Sequence, residues 1–397
     1  MANADPIVIA AAARTPIGSF QGELKDLAAP SLGAAAAKEA LVRSGVAPED
    51  IEEAILGCVL SAGQGQAPAR QAALAAGLPE ATPCTTVNKM CGSGMKAIML
   101  AHDILCAGSA RIALAGGMES MSNAPYLLDR ARSGYRMGHG RLLDHMFLDG
   151  LEDAYGEHLH MGAFAEDCAE RFQFTRAAQD AFAIASLERA QRAISDGSFA
   201  KEIAPVTVKT GKDGAKIVLH DEQPQKAKLD KIPHLKPAFR AGGSVTAANS
   251  SSISDGAAAL VLMRRSEAEK RGVAPLAAIR AHATHAQAPS QFPTAPIGAL
   301  QKLMDKTGWS MADVELFEIN EAFAVVPMAA MHELSLPHDK VNVHGGACAL
   351  GHPIGASGAR IVVTLLAAMQ KYGLKRGAAA LCIGGGEATA IALEKLC

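Results

Sequence analysis

The sequence predicts an α/β fold built from two related halves, one of which carries an inserted loop domain. Three observations lead there: short, wholly apolar runs of strand type, Ala/Leu-rich stretches of helical type, and the recurrence of both at a nearly constant offset. Ile7-Val8-Ile9-Ala10-Ala11 opens the first copy and Leu276-Ala277-Ala278-Ile279 the second. Each is followed by a helical stretch that ends at glycine, Gly45 and Gly308, 263 positions apart. Pro48-Glu49-Asp50-Ile51 and Met311-Ala312-Asp313-Val314 then lead into further strands. Ala113-Leu114-Ala115-Gly116-Gly117 pairs in the same way with Ala379-Ala380-Leu381-Cys382-Ile383-Gly384-Gly385. Runs that are apolar throughout, rather than alternating, are expected of parallel strands buried on both faces.

The two copies differ in one place. After Gly385-Gly386 the second turns almost directly into the strand Ala388–Leu393, whereas the matching strand of the first, Ala257–Leu262, lies some 140 residues beyond Gly117. The expected division is therefore residues 1–120 with 251–272 as the first half, 121–250 as an inserted loop domain, and 273–397 as the second half. Within the insertion, Phe172 to Ile194 has helical periodicity and Val206 to Lys236 reads as polar and irregular.

Composition bounds the function. The 397 residues are 49% apolar but only 4% aromatic, so a large core must be built mainly from Ala, Val, Leu and Ile. Thirty-eight basic against 40 acidic residues leave a net charge of −2, which argues against nucleic acid as a partner. No apolar run approaches the ~20 residues of a membrane span, and the start Met1-Ala2-Asn3-Ala4-Asp5-Pro6 lacks the basic region of a secretory leader. Eight cysteines without C-x-x-C spacing fit neither a disulfide framework nor a zinc site, so no metal is expected and a reducing cytoplasm is.

Two of those cysteines carry the chemistry. Cys91, in Asn88-Lys89-Met90-Cys91-Gly92-Ser93-Gly94, lies between the strand Thr85-Thr86-Val87 and a helical pattern starting at Gly94. A helix N-terminus favours thiolate, and a free thiol with a pKa of about 8.5 is only a few per cent ionised at pH 7. The alternative is a small buried hydrophobe. Cys382 ends a core-type strand just before Gly384-Gly385-Gly386, at the carboxyl end where α/β sites form. Glycines there let N–H groups approach a thioester oxygen. His352, in Gly351-His352-Pro353, is a candidate proton carrier for Cys91. Asn320, after the strand Leu316–Ile319, is either a helix N-cap or a holder of water in an oxyanion hole. From Lys201 to Arg240, nine Lys/Arg against five Asp/Glu form either a solvated run or a dock for a phosphorylated carrier, with Lys226, Lys228 and Lys231 foremost. Arg130, Arg132, Arg136 and Arg141 belong to an exposed loop or a subunit contact. Together the residues point to acyl transfer through a thioester, one thiol attacking and the other moving protons.

In this order, Asn88–Gly94, Asn320-Glu321-Ala322-Phe323, Gly351-His352-Pro353 and Cys382-Ile383-Gly384-Gly385-Gly386 resemble the thiolase family over essentially the whole chain. Met118-Glu119-Ser120-Met121-Ser122 and Asp149-Gly150-Leu151 look most like its biosynthetic, acetoacetyl-CoA-forming branch. The resemblance implies a five-layer α-β-α-β-α fold and a tetramer, formed through the loop near Arg130–Arg141. By the same resemblance Cys91 becomes acetylated, and Cys382 exchanges a proton with the methyl carbon of a second acetyl-CoA. His352 activates Cys91 and, with water on Asn320, forms one oxyanion hole, while the N–H groups of Cys91 and Gly384 form the other. It further implies substrate contacts at His160, Met161 and Ser251; Phe239, Phe292, Ala322 and Phe323 are further candidates for substrate contact, and Lys226 and Lys231 are candidates from the charge of their segment. Coenzyme A enters as substrate and product, and no cofactor is implied. Departures from the pattern are Pro224 and Lys231 where Arg and Ser are usual, Phe292 where Met is usual, and His344 and Cys348 beside the catalytic loop. Alternatives kept open are a broader-chain 3-ketoacyl-CoA thiolase of fatty-acid degradation, a decarboxylating ketoacyl synthase, which typically lacks the second cysteine, and a non-enzymatic acyl-CoA carrier.

Overall fold

A computed structural model describes residues 5–211 and 214–396; Met1–Ala4, which open the segment tested for a leader, and Lys212 and Asp213 of the charged run lie outside them. Nine strands form the frame: β1 (Ile7–Arg14), β2 (Glu53–Gly57), β3 (Cys84–Val87), β4 (Ile112–Ser120), β5 (Ser254–Arg264), β6 (Ala277–Ala286), β7 (Leu316–Ile319), β8 (Arg376–Ile383) and β9 (Glu387–Glu394). Their order is β3-β2-β4-β5-β1 in the first half and β6-β9-β8-β7 in the second. Phe317 of β7 bridges to Val341, which takes the place that β3 holds beside β2. The same order thus occurs twice, and within the sheet, among the described residues, the halves pair where Val8 and Ile9 meet Ala278 and Ala277.

Four long helices complete the repeat: α1 (Ala29–Ser44), α2 (Ser93–Ala107), α3 (Ala295–Thr307) and α4 (Ile354–Tyr372). Gly45 and Gly308 close α1 and α3 in the left-handed conformation, at φ 65° and 70°, where a side chain would be strained. Three separate apolar cores give the layering. One packs α1 under the first half, one packs α3 under the second, and the middle one joins α2 and α4 to strands of both halves. The result is the five-layer α-β-α-β-α arrangement.

The middle layer is dense because its helices cross on glycine. A Cβ on Gly117 would lie 2.1 Å from the Gly355 carbonyl oxygen, one on Gly94 2.8 Å from the Ala359 nitrogen, and one on Gly358 2.5 Å from the Met95 nitrogen. No methyl group fits, so backbone meets backbone.

Three expectations need correction. The sheet is mixed: β5 runs antiparallel to both β1 and β4, and β9 to β6 and β8. Helices cover both faces of these strands, so they too are apolar throughout. The helical stretch inside the insertion does not begin at Phe172. One helix, Met161–Arg171, ends there, Gln173 turns left-handed, and a second, Arg176–Ser195, starts at Thr175, whose hydroxyl accepts from the Ala178 N–H. Val206 to Lys236 is more regular than read, with a hairpin (Val206–Thr210 with Gly214–Val218) and a short helix (Glu222–Lys226). Residues 121–250 add no strand to the large sheet among the described residues. Buried Arg14 of β1 holds this excursion through Glu202 (2.5 Å) and a bidentate pair with Asp221 (2.7 and 2.9 Å).

Gly117→Ala is expected to destabilise the chain by about 1–3 kcal/mol through overpacking. Urea unfolding checks this, and an unchanged midpoint would contradict the glycine crossing.

Candidate active site

α2 and α4 occupy equivalent places in the two halves, and each is preceded by a loop that carries a reactive side chain. The first loop presents Cys91. Its backbone turns left-handed at Met90 (φ 47°), a conformation that costs a non-glycine residue of order 1 kcal/mol and persists only when its surroundings enforce it. Ser93 does so, its hydroxyl accepting from the Lys89 N–H (2.8 Å) and donating to the Met90 carbonyl (2.6 Å). Lys89 also pairs with Glu387 of β9, which ties the loop to the second half.

The second loop presents His352. Its Nδ1 lies 2.6 Å from the Ser357 hydroxyl, which is itself placed to donate to the Pro353 carbonyl at 3.0 Å. With that hydroxyl proton committed, Nδ1 carries the imidazole proton and Nε2 is left as a lone pair. Nε2 is buried without any protein partner. Asn320 stands behind the ring, its amide nitrogen 3.5 Å from Nδ1, and its oxygen accepts from Arg360 (3.2 Å). The buried guanidinium therefore decides which way that amide points. Asn320 is not a helix N-cap, because the following helix starts at Val325 behind Ala324.

Both loops open on one cavity of about 370 Å³. Cys91, His352, Cys382 and Gly384 line it, with His160, Met161, Phe239, Ser251, Phe292, Ala322 and Phe323. His160 caps the Met161–Arg171 helix by accepting from the Gly162 N–H (3.1 Å) and stacks on Phe239 at 4.9 Å. Phe239, Phe323 and Phe292 continue this aromatic wall. The Ser251 hydroxyl donates to the Ala322 carbonyl (3.0 Å). Lys226 and Lys231 lie outside this cavity. They line a neighbouring one that shares Gln223 and Ala247 with it, and Lys226 is paired with Glu222.

Electrostatically the site is governed by burial. Burial pushes the Cys91 thiol up to about 11, although the N–H groups of Gly384 and of Cys91 itself reach its sulfur and partly offset this. The helix N-terminus that was expected to favour thiolate is thus outweighed. Cys382 is raised well above the ordinary thiol range by burial and then by the nearby Cys91. Burial, followed by the Arg360 charge, depresses His352 to about 3. The resting pair is a neutral thiol and a neutral imidazole.

Residues that sequence reasoning passed over hold this geometry. Buried Glu119, pushed up to about 7 by burial, accepts from the N–H groups of Val59 (3.0 Å), Leu60 (3.1 Å) and Gly355 (2.9 Å). It thereby binds the His352 loop to the first half. Glu321 accepts from Ser186 (2.7 Å), Asn342 (2.8 Å) and the Cys348 N–H (3.0 Å). Glu119 and Glu321 were legible only as parts of motifs; Ser357 and Arg360 lie inside a helix and carry no local signal. His344 packs edge-on against Phe199 at 5.8 Å and is depressed to about 4 by burial.

Comparison with known proteins agrees with the architecture. Residues 7–266 match the family model "Thiolase, N-terminal domain" and residues 273–395 match "Thiolase, C-terminal domain". A fold of two duplicated layers with a paired-cysteine cavity belongs to the acyl-transferring enzymes, and this chain is a member of the thiolase family. It is 48% identical to a probable acetyl-CoA acetyltransferase of Dictyostelium discoideum, over 99% of this chain and 95% of that one. It is 47% identical to an acetyl-CoA acetyltransferase of Cupriavidus necator, over 98% and 99% respectively. A probable acetyl-CoA acyltransferase of Staphylococcus aureus is 45% identical over 98% and 99%.

Alkylation of Cys91 by iodoacetamide tests the neutral resting pair. A thiol held near 11 is protonated at neutral pH, so the rate should climb about tenfold per pH unit between 7 and 9. A plateau beginning below pH 8 would mean a thiolate–imidazolium pair instead.

Proposed function

We propose that the protein is an acetyl-CoA C-acetyltransferase, joining two acetyl-CoA molecules reversibly into acetoacetyl-CoA and coenzyme A by a ping-pong route. The observation that carries this reading is the meeting of Cys91 and Cys382 in one apolar cavity with the Gly384 N–H at the Cys91 sulfur. The names of the relatives support the same substrate class.

In the first half-reaction His352 Nε2 takes the Cys91 proton as the sulfur attacks the acetyl carbonyl. The carbon–sulfur bond to coenzyme A breaks, and Cys382 gives its proton to the departing thiolate. The oxygen charge falls to the N–H groups of Cys91 and Gly384, each such donor supplying about 3–4 kcal/mol. In the second half-reaction the Cys382 thiolate removes a methyl proton from a new acetyl-CoA. Burial that raises a thiol also makes its anion a stronger base, which suits a weak carbon acid. The enolate oxygen is met by His352 and by water on the Asn320 amide. The carbanion attacks the carbonyl of acetyl-Cys91, the carbon–sulfur bond to Cys91 breaks to release acetoacetyl-CoA, and the Cys91 thiolate takes back the proton held on His352 Nε2. Coenzyme A acts as substrate and product, with no further cofactor. The pantetheine arm passes Ser251 and His160, and the lysines of the adjoining cavity face its phosphates.

A homotetramer fits the exposed apolar side chains of the excursion after β4, among them Tyr126, Leu142 and the 98% exposed Met137. No described helix is long and apolar enough to cross a membrane. The proposed compartment is a reducing cytoplasm.

Cys91→Ala is expected to abolish both half-reactions, and Cys382→Ala to keep measurable acyl transfer while losing condensation at least a thousandfold. Labelled acetyl-CoA followed by peptide mapping should mark Cys91, and label on any other residue overturns the assignment. Thiolysis should be fastest with acetoacetyl-CoA and fall with chain length. A flat series would replace this reading with a broad-chain 3-ketoacyl-CoA thiolase.

A further inference from the structure

At the far end of α2 from Cys91, three side chains from distant parts of the sequence converge. His102 and Asp103 belong to α2 and His282 to β6. One ring nitrogen from each histidine and one Asp103 oxygen all lie within 4.8 Å of one another. The Asp103 oxygen stands 3.1 Å from His102 Nδ1 and 2.8 Å from His282 Nε2, so a single oxygen serves both rings. The rings are nearly perpendicular, at 87° with centroids 5.0 Å apart. Cys106, one turn further along α2, holds its sulfur 3.7 Å from His102 Nε2. None of these residues lines the catalytic cavity.

We propose that His102, Asp103 and His282 form a divalent transition-metal site, with zinc as the fitting ion and Cys106 as a neighbouring soft donor. Two imidazoles and a carboxylate are the donor types zinc takes at about 2.0–2.2 Å, which in tetrahedral geometry puts donor atoms about 3.3 Å apart. The two oxygen–nitrogen separations of 2.8 and 3.1 Å reach that with shifts of a few tenths of an ångström, and the two ring nitrogens lie within 4.8 Å of each other, a gap that the ion would draw in. Asp103 is half exposed, with 52% of its side chain open, so water has access to the remaining positions while both rings are largely covered. Two cations stand close by, but each is turned to a carbonyl: Lys306 donates to His282 O (2.9 Å) and Arg264 to Cys106 O (2.8 Å). The metal would fasten the central helix of the first half to the first strand of the second. That seam is otherwise held, in the sheet, by the Val8 and Ile9 pairs alone. Sequence spacing could not reveal the site, since His102 and His282 are 180 positions apart.

The test is equilibrium dialysis of the full chain against zinc chloride with metal analysis, alongside Cys91→Ala, His102→Asn, His282→Asn and Asp103→Asn. One zinc per chain is expected on the unmodified protein and on Cys91→Ala. Binding should weaken at least tenfold in each of the other three, while their acetyl transfer without added metal stays unchanged and shows that they are folded. Uptake that depends on Cys91, uptake that survives either histidine variant, or no uptake by the unmodified chain overturns the proposal. In the last case the three residues are only a hydrogen-bonded ion-pair chain.

Discussion

Everything in the molecule leans on the crossing of α2 and α4, where Gly94, Gly355 and Gly358, with Gly117 of β4 against them, let backbone touch backbone. Dispersion is short-ranged, so a gap of even 1 Å at such a contact forfeits much of its attraction. The crossing does more than fill space. Each helix begins just after a reactive loop, so the distance between helices sets the distance between Cys91 and His352. Glu119 works at the same junction, its carboxylate receiving three N–H groups from two separate loops. A position error of 1 Å in a reacting pair costs far more in rate than in stability.

The second theme is burial. Phe239, Phe292, Phe323 and Met161 give the cavity an apolar wall, and burial dominates the ionisation of Cys91, Cys382 and His352. Imidazole and thiol both stay neutral, so no ion pair has to be neutralised before the sulfur attacks. Arg360 contributes twice, orienting the Asn320 amide and disfavouring a proton on His352. Glu318 lies 3.7 Å from that guanidinium, deep in the middle of the protein, where burial pushes its carboxyl up to about 8 despite the Arg360 charge. Such buried networks give orientation rather than stability.

The duplication was legible because apolar strand runs and helix-ending glycines follow local rules, and Gly45 and Gly308 obey them in both halves. The thiols and His352 were legible because glycine crowds around them. Strand direction was not. A strand covered by helices on both faces looks the same whichever way its neighbours run, so the parallel reading failed at β5 and β9. The break at Phe172–Thr175 was hidden because no glycine or proline marks it; Gln173 itself takes the left-handed turn. Asn320 was read as a possible cap from its residue type, but its amide is claimed by Arg360, forty positions away. The lysines of the insertion were judged by charge alone, and only coordinates reveal that Lys226 already has a partner in Glu222.

The repeat also has an unused counterpart to its chemistry. Cys58 follows β2 as Asn320 follows β7 and is as deeply buried, but its sulfur faces the Glu119 and Gln64 side chains where the Asn320 amide faces an imidazole. A symmetric ancestor made of two identical units would own two reaction chambers related by rotation. Here one has been silted up with side chains while the other took donors from both units. Neither unit can therefore work alone, and separating them would leave an attacking group on one piece and every proton carrier on the other.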